Sequence, residues 1–221
     1  MIPKNLITTW ISDKPAPDIF YKCFETWHRN MPGWNIKIVS IDNIAKSDYI
    51  KARLKEKNYI MASHWARIYE LYTMGGIYID IDTEVFKSYE PLLNNKFFIG
   101  HEGGDAFVNN AIMGSVPGHP FCLEMLKYTE DFPLDHPECP NETGPRMVTK
   151  LLQEKGWSGI IDQDSLVGDI QVYNSKYFYP VFWDTKYLPE LVSPDSYSAH
   201  HFWGSWEPEE VRIKQHKERH G

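Results

Sequence analysis

Long apolar runs are missing from this 221-residue chain, and with them the roughly 20-residue stretch that a membrane-spanning helix needs. The opening MIPKNLITTW has no hydrophobic region of the secretory kind, so no leader is expected. Cysteine is scarce: Cys23, Cys122 and Cys139 are odd in number and lack metal-ligand spacing, which argues against a disulfide framework and favours a reducing compartment. Without an export signal, the Asn141-Glu142-Thr143 sequon reads as a chance match. Cationic side chains are outnumbered, 23 Lys and Arg against 30 Asp and Glu, for a formal net charge of −7. No nucleic-acid partner is expected from that balance, because phosphate neutralisation needs clustered positive charge. The one basic cluster, RIKQHKERH near the C-terminus, is expected to be a solvated helix or frayed tail. Repeats and low-complexity stretches are absent as well.

What the chain has is a 42% hydrophobic fraction with 8 Trp and 13 Tyr, enough to build a substantial core in one domain. NLITTWI reads as a first strand and IFYKCFETWHRN as a helix with Ile19, Cys23, Phe24 and Trp27 at helical spacing. WNIKIVSID is a second strand. From Asn58 to Met74, Met61, Trp65, Ile68 and Tyr72 share one helical face, and Gly75 stands where a left-handed cap belongs. KFFIGHE and NNAIMGS are further strands, PFCLEMLKYTE is a helix opened by Pro120, and another helix lies near PRMVTKLLQEKG. This alternation predicts an α/β sandwich with a mostly parallel central sheet and helices on both faces. The irregular, Pro-rich second half is expected to cover the sheet edge that carries the site.

The stretch GGIYIDIDTEV, residues 75–85, holds the pattern with the most chemistry. Read as a strand from Ile77 to Asp82, it sends Ile77, Ile79 and Ile81 to one face and Tyr78, Asp80 and Asp82 to the other. Two carboxylates ~7 Å apart repel by about 0.6 kcal/mol in bulk water and about 2.4 kcal/mol at an effective dielectric of 20. The apolar neighbours suggest partial burial, where a divalent cation bound by hard oxygen ligands cancels the repulsion. One helix upstream, Ser63 and Arg67 lie four residues apart on one face, the arginine suited to a phosphate or a carboxylate.

With these residues in place, ASHWARIYELYTMGGIYIDIDTEV resembles the signature of the DXD-containing sugar transferases of the Och1 and capsular-polysaccharide type, a family 32-like group related to the catalytic domain of the clostridial glucosylating toxins. IPKNLITTW, NNAIMGSVPGHPF, ETGPRMVTK and AHHFWGSW are similar to further blocks of that family in the same order, covering nearly the whole chain. The resemblance implies a GT-A fold, a Rossmann-like sandwich binding a nucleotide sugar at the carboxyl ends of its strands. It implies a nucleotide-sugar-binding half at 1–115 and an acceptor side with a closing segment at 116–221.

Residue by residue, the resemblance puts Trp10 beside the nucleotide base, with Thr8 and Thr9 as backbone contacts. Ser63 and Arg67 fall at the sugar and diphosphate, and Tyr78 beside them. Asp80 is assigned to the ribose and the metal, Asp82 to Mn²⁺ or Mg²⁺ directly, and Asn109 or Asn110 to sugar hydroxyls. Asp80, Asp82 and Arg67 form the catalytic set. In AHHFWGSW, one of His200 and His201 is expected to complete the metal site, with a lean toward His201, while Trp203 and Trp206 cover the donor. Two positions depart from the pattern: the family's Asp after the serine is His64, placed at the donor sugar, and its first-strand His is Ile7. The implied reaction is a retaining, metal-dependent hexosyl transfer, UDP-hexose favoured, to a saccharide or lipid-linked acceptor in polysaccharide synthesis. The expected location is the cytoplasm, extending to peripheral association with the inner membrane face. The alternatives are a catalytically silent sugar-binding protein on this fold and a phosphatase of the haloacid-dehalogenase type.

Overall fold

The computed structural model describes residues 1–104, 107–133, 142–160, 163–205, 207 and 209–220, so Cys139, Asn141 and Trp206 lie outside the described residues. Strands β1 (Asn5–Thr9), β2 (Asn35–Val39), β3 (Gly76–Ile79), β5 (Phe97–His101), β6 (Val108–Ser115), β7 (Ser165–Val167) and β8 (Ile170–Tyr173) form a seven-stranded sheet in the order β2-β1-β3-β6-β5-β8-β7. Five of the seven run one way, with β6 and β7 opposed. The short β4 (Thr83–Val85) pairs instead with β9 (Ser198–His200) in a separate ribbon.

Because successive strand residues face opposite ways, the sheet feeds two cores. Ile7, Tyr78, Ile99 and Met113 point toward α3 (Tyr59–Met74), α4 (Pro120–Asp131) and α5 (Pro145–Glu154). Leu6, Ile77, Phe98 and Ile112 pack with Phe20, Cys23 and Trp27 of α1 (Asp18–Asn30) on the other face. Helix α2 (Asp48–Lys55), which the sequence reading omitted, is capped by Ser47 and sits against α3. The expected helices and long strands are present, and Ile7, where the family pattern has a histidine, is a fully buried core residue.

Asn58 caps α3 by accepting from the Met61 N–H, and Gly75 and Gly76 turn the chain from its end directly into β3. Both glycines have positive φ, +65° and +131°. A Cβ at Gly75 would come 2.6 Å from Pro117 Cδ, and one at Gly76 2.5 Å from the Asn5 carbonyl oxygen. This tight connection fixes where Arg67 on α3 lies relative to Asp80 after β3.

The strand expected to run through Asp82 ends at Ile79. Asp80 N–H still donates to Ala111 O at 2.9 Å, but Thr83 N–H then closes a turn on Asp80 O at 3.1 Å. The ladder stops because the chain leaves the sheet to pair β4 with β9. Ile81 nevertheless enters the same core as Ile77 and Ile79, so the alternation of faces outlasts the strand.

Candidate active site

Asp80 is held from two sides. Arg67 Nη2 lies 3.3 Å from its Oδ1, and the Tyr78 hydroxyl donates to that same oxygen. Arg67 is itself fixed: Nη1 donates to Asn110 O at 3.2 Å, and the guanidinium lies 4.8 Å from the centre of the Tyr78 ring. Burial alone opposes its charge, but Asp80, Tyr78, Tyr179 and Asp82 together raise its pKa, so Arg67 is a permanent buried cation. Tyr78, wholly buried and bonded to Thr9 Oγ1 at 3.1 Å, keeps its proton well above the ordinary range because burial disfavours the phenolate.

Asp82 is 4% exposed, and its neighbours arrive from the far end of the chain. The β4–β9 register sets Thr83 opposite His200. His200 Nε2 then lies 3.2 Å from Asp82 Oδ1 and 3.7 Å from Asp80 Oδ2. Helix α1 steadies this ribbon: Trp27 Nε1 donates to Thr83 O at 2.6 Å and Asn30 Nδ2 to Val85 O at 2.8 Å. Beyond β9, Phe202 takes the left-handed conformation at φ 51°, and the Trp203 N–H donates to Asp82 Oδ2 at 2.6 Å. A non-glycine residue in that region costs about 1–3 kcal/mol. Burial raises the Asp82 pKa, but His200, the Trp203 N–H and His201 outweigh it, and the net direction is down. For His200 burial favours the neutral ring, while Asp82, Asp80 and Glu102 raise its pKa overall.

The lean toward His201 as the metal ligand is corrected by this geometry. His201 turns its Nε2 to Glu84 Oε2 at 3.2 Å, because a neighbour along an extended chain faces the other way. His200 is the one that joins the pair: ligand atoms of Asp80, Asp82 and His200 all lie within 4.8 Å of one another. Two carboxylates and one imidazole suit a divalent cation, and the repulsion between the acids gives a reason to bind one.

Two cavities meet at this cluster, sharing His64, Arg67, Asp80 and His200. The smaller, about 300 Å³, is lined by Thr9, Trp10, Asn58, Tyr59, Ser63 and Trp203. The larger, about 600 Å³, carries Glu102, Asn109, Asn110, Trp183 and the C-terminal helix. Of the residues expected at a donor, Thr8 and Tyr78 line neither cavity; Thr8 is buried in the sheet and Tyr78 reaches the site through Asp80. Both asparagines line the larger cavity because the pairing of β5 with β6 jumps from Ile99–Met113 to Gly100–Asn109, a bulge that breaks the alternation. His64 Nδ1 is bonded to Thr143 Oγ1 at 2.9 Å, and burial followed by the Arg67 charge holds its pKa well below 6.5, so it stays neutral.

Sequence reasoning missed Glu102, Trp183 and the role of the C-terminal helix α6 (Glu209–His220). The expected solvated helix is present with most of its residues exposed, and through Gln215, His216, Glu218 and Arg219 it also lines the larger cavity. His216 packs edge-on to Trp203 at 4.7 Å, Arg219 Nη2 donates to Val181 O at 3.2 Å, and the Tyr187 N–H donates to Arg219 O at 2.8 Å. The chain's only hint was the paired spacing of His216 and His220, one turn apart.

Fold and site together give an α/β sandwich with an acidic pair and a histidine between two lobes of cavity. Residues 4–99 match the family model described as the glycosyltransferase sugar-binding region containing a DXD motif. The matched segment makes up somewhat under half of the chain. The chain is 26% identical over 147 residues to a mannosyl phosphorylinositol ceramide synthase of Saccharomyces cerevisiae, covering 62% of this chain and 36% of that protein. It is 27% identical over 172 residues to an uncharacterized glycosyltransferase of Acanthamoeba polyphaga mimivirus, covering 76% and 66%. The chain thus spans about a third and just under two thirds of the lengths of these relatives. Among solved structures, the PaToxG glycosyltransferase aligns with TM-score 0.57 at 18% identity over 70% of each chain. A glycosyltransferase involved in glycosylation of the major capsid of PBCV-1 aligns with TM-score 0.56 at 12% identity over 98% of this chain and 99% of that one. At such identities the likeness is one of fold.

Proposed function

We propose that this chain transfers a hexosyl group from a nucleoside-diphosphate sugar to a saccharide or lipid-linked acceptor, with Asp80, Asp82 and His200 holding Mn²⁺ or Mg²⁺. The observation that carries the reading is the convergence of those three ligands with Arg67 where the two cavities join. In this reading the smaller cavity takes the nucleotide, its base against Trp10, and the diphosphate lies over Ser63 and Arg67. The sugar enters the larger cavity, and the acceptor approaches past Trp183.

When bound, the cation supplies Lewis-acid stabilisation of charge on the leaving diphosphate. Arg67 adds a fixed positive charge at the same place, and its bonds to Asn110 O and Asp80 hold it there with no reorganisation during the reaction. Tyr78 keeps Asp80 oriented, and the Trp203 N–H does the same for Asp82. Trp203 and α6 exclude water that would hydrolyse the donor. The acceptor hydroxyl forms the new bond to the anomeric carbon as the diphosphate oxygen leaves, and that oxygen takes the proton. Retention of configuration is inferred from the family resemblance.

The yeast relative is named for mannosyl transfer to an inositol ceramide, which favours GDP-mannose and a lipid-linked acceptor, with UDP-hexose as the second donor to test. Among the described residues no helix is long and apolar enough to cross a membrane. Release of GDP or UDP from these donors, followed with Mn²⁺ and with EDTA, tests the reading. Metal-dependent release supports it; tight donor binding without any release identifies the silent sugar-binding alternative.

A further inference from the structure

His201 is the histidine that the acidic cluster leaves over. The β4–β9 register sets Thr83 opposite His200, so Glu84 and His201 fall together on the other face of the ribbon. His201 Nε2 lies 3.2 Å from Glu84 Oε2, and the Tyr187 hydroxyl donates to that same oxygen at 3.1 Å. A carboxylate only accepts hydrogen bonds, so the ring proton sits on Nε2 and Nδ1 keeps a bare lone pair. That nitrogen belongs to a residue 7% exposed and is buried with no hydrogen-bond partner among the described residues. A carboxylate behind the other ring nitrogen is the usual orienting partner of a metal-bound histidine.

Two more imidazoles come to this one from the end of the chain. His216 and His220 lie one turn apart on α6, with ring centres 4.3 Å apart. The His220 ring centre is 5.1 Å from that of His201, and its Nε2 is likewise buried without a partner among the described residues. Tyr187 packs its ring against both, 4.8 Å from His201 and 5.2 Å from His220, and so backs the cluster. Zinc–imidazole bonds of about 2.0–2.1 Å in a tetrahedral array set ring centres about 5 Å apart, close to these separations. The ligand nitrogens of the three rings do not converge within 4.8 Å as those of Asp80, Asp82 and His200 do, so binding turns the rings on α6 about their side-chain bonds.

We propose that His201, His216 and His220 form a second metal site, selective for Zn²⁺ over Mn²⁺ and Mg²⁺, which ties α6 to the β4–β9 ribbon beside the larger cavity. Three imidazoles suit a borderline-soft ion, whereas the hard oxygens of Asp80 and Asp82 suit Mn²⁺ or Mg²⁺. An ion that bridges the two segments binds only while α6 is docked, and therefore stabilises the docked helix by mass action. The site shares no ligand with the acidic cluster, so it stands or falls independently of glycosyl transfer.

Calorimetric titration of the full chain with Zn²⁺, as D82N, D82N/H216A and D82N/H220Q, isolates this site, because the Asp82 change disables the acidic one. D82N is expected to bind one equivalent, and each double variant to bind at least about tenfold more weakly, since loss of an orienting group alone costs about 10- to 100-fold. Co²⁺ in place of Zn²⁺ should give D82N the visible absorption of a tetrahedral site, lost in both double variants. In the wild type, amide exchange across 209–220 should slow about fivefold or more with Zn²⁺ and stay unchanged with Mn²⁺. This last measurement needs no variant, and it decides the matter should a substitution unfold α6. No Zn²⁺ bound by D82N, double variants that bind it as tightly as D82N, or exchange in α6 that Zn²⁺ does not slow, overturns the assignment and leaves the acidic cluster standing.

Discussion

Asp82 has the burial of a core side chain and the charge of a surface one, and His200 and the Trp203 N–H are what make the two compatible. Removing its charge removes a ligand without changing its shape: Asp82→Asn is expected to lower metal-dependent release of nucleoside diphosphate by about 10²-fold or more, read in a coupled assay. Full turnover in that variant would mean the acidic pair is not the metal site. The two histidines separate equally sharply. His200→Ala should weaken Mn²⁺ binding, titrated through tryptophan fluorescence, by about tenfold or more, and His201→Ala by far less. At this scale the spacing of Asp80 and Asp82, and of Ser63 and Arg67, marked each pair as sharing a side, although the strand itself stops at Ile79, before the acids. It left His200 against His201 open, because alternation offers both and only the distant pairing of β4 with β9 decides. Glu102 was silent for the same reason: its meaning comes from Asn109, seven residues on across a turn.

The two elements that flank the site differ in how their sequence encodes them. The α3–β3 connection is local: Gly76 has φ +131° and an Asn5 oxygen where its side chain would go. Gly76→Ala is expected to cost about 2–4 kcal/mol in denaturant unfolding, against about 1 kcal/mol for Gly33→Ala, where φ is also positive but nothing lies within 4 Å. Helix α6 is the opposite case, a polar segment whose packing partners, Tyr187, Phe202 and Trp203, sit on irregular chain that no periodicity announces. Its docking carries a pH dependence. Burial, then repulsion from His201, His216 and Arg219, holds His220 at about 4, and burial likewise lowers His216. Histidines with depressed native pKa values bind protons more readily when released, so docking is at full strength above about 6.5 and weakens as pH falls toward 4. Amide exchange across 209–220, corrected for intrinsic rates, should accelerate from pH 7.5 to 5, and His220→Gln should blunt that change. Exchange that is flat with pH would show that the helix is held by other contacts.

For the whole molecule, the fold was readable because long periodic segments, α1, α3, α4, β5 and β6, occur in an order that few architectures accept. The bulge in β6, the β4–β9 ribbon and the roof over the larger cavity were not, since each depends on contacts between segments remote in sequence. Together they turn a Rossmann-like sandwich into a crevice with a smaller lobe, a larger lobe and an acidic cluster between them. The claim on which this account depends is that a divalent cation held by Asp80, Asp82 and His200 grips the donor diphosphate. Its most direct test is the melting temperature of wild type and Asp82→Asn with GDP-mannose or UDP-glucose at about 100 times Kd, in Mn²⁺ and in EDTA. The account predicts a rise of about 5 °C or more for the wild type with Mn²⁺ only, and none for the variant. The same rise in EDTA, or in Asp82→Asn, would contradict it.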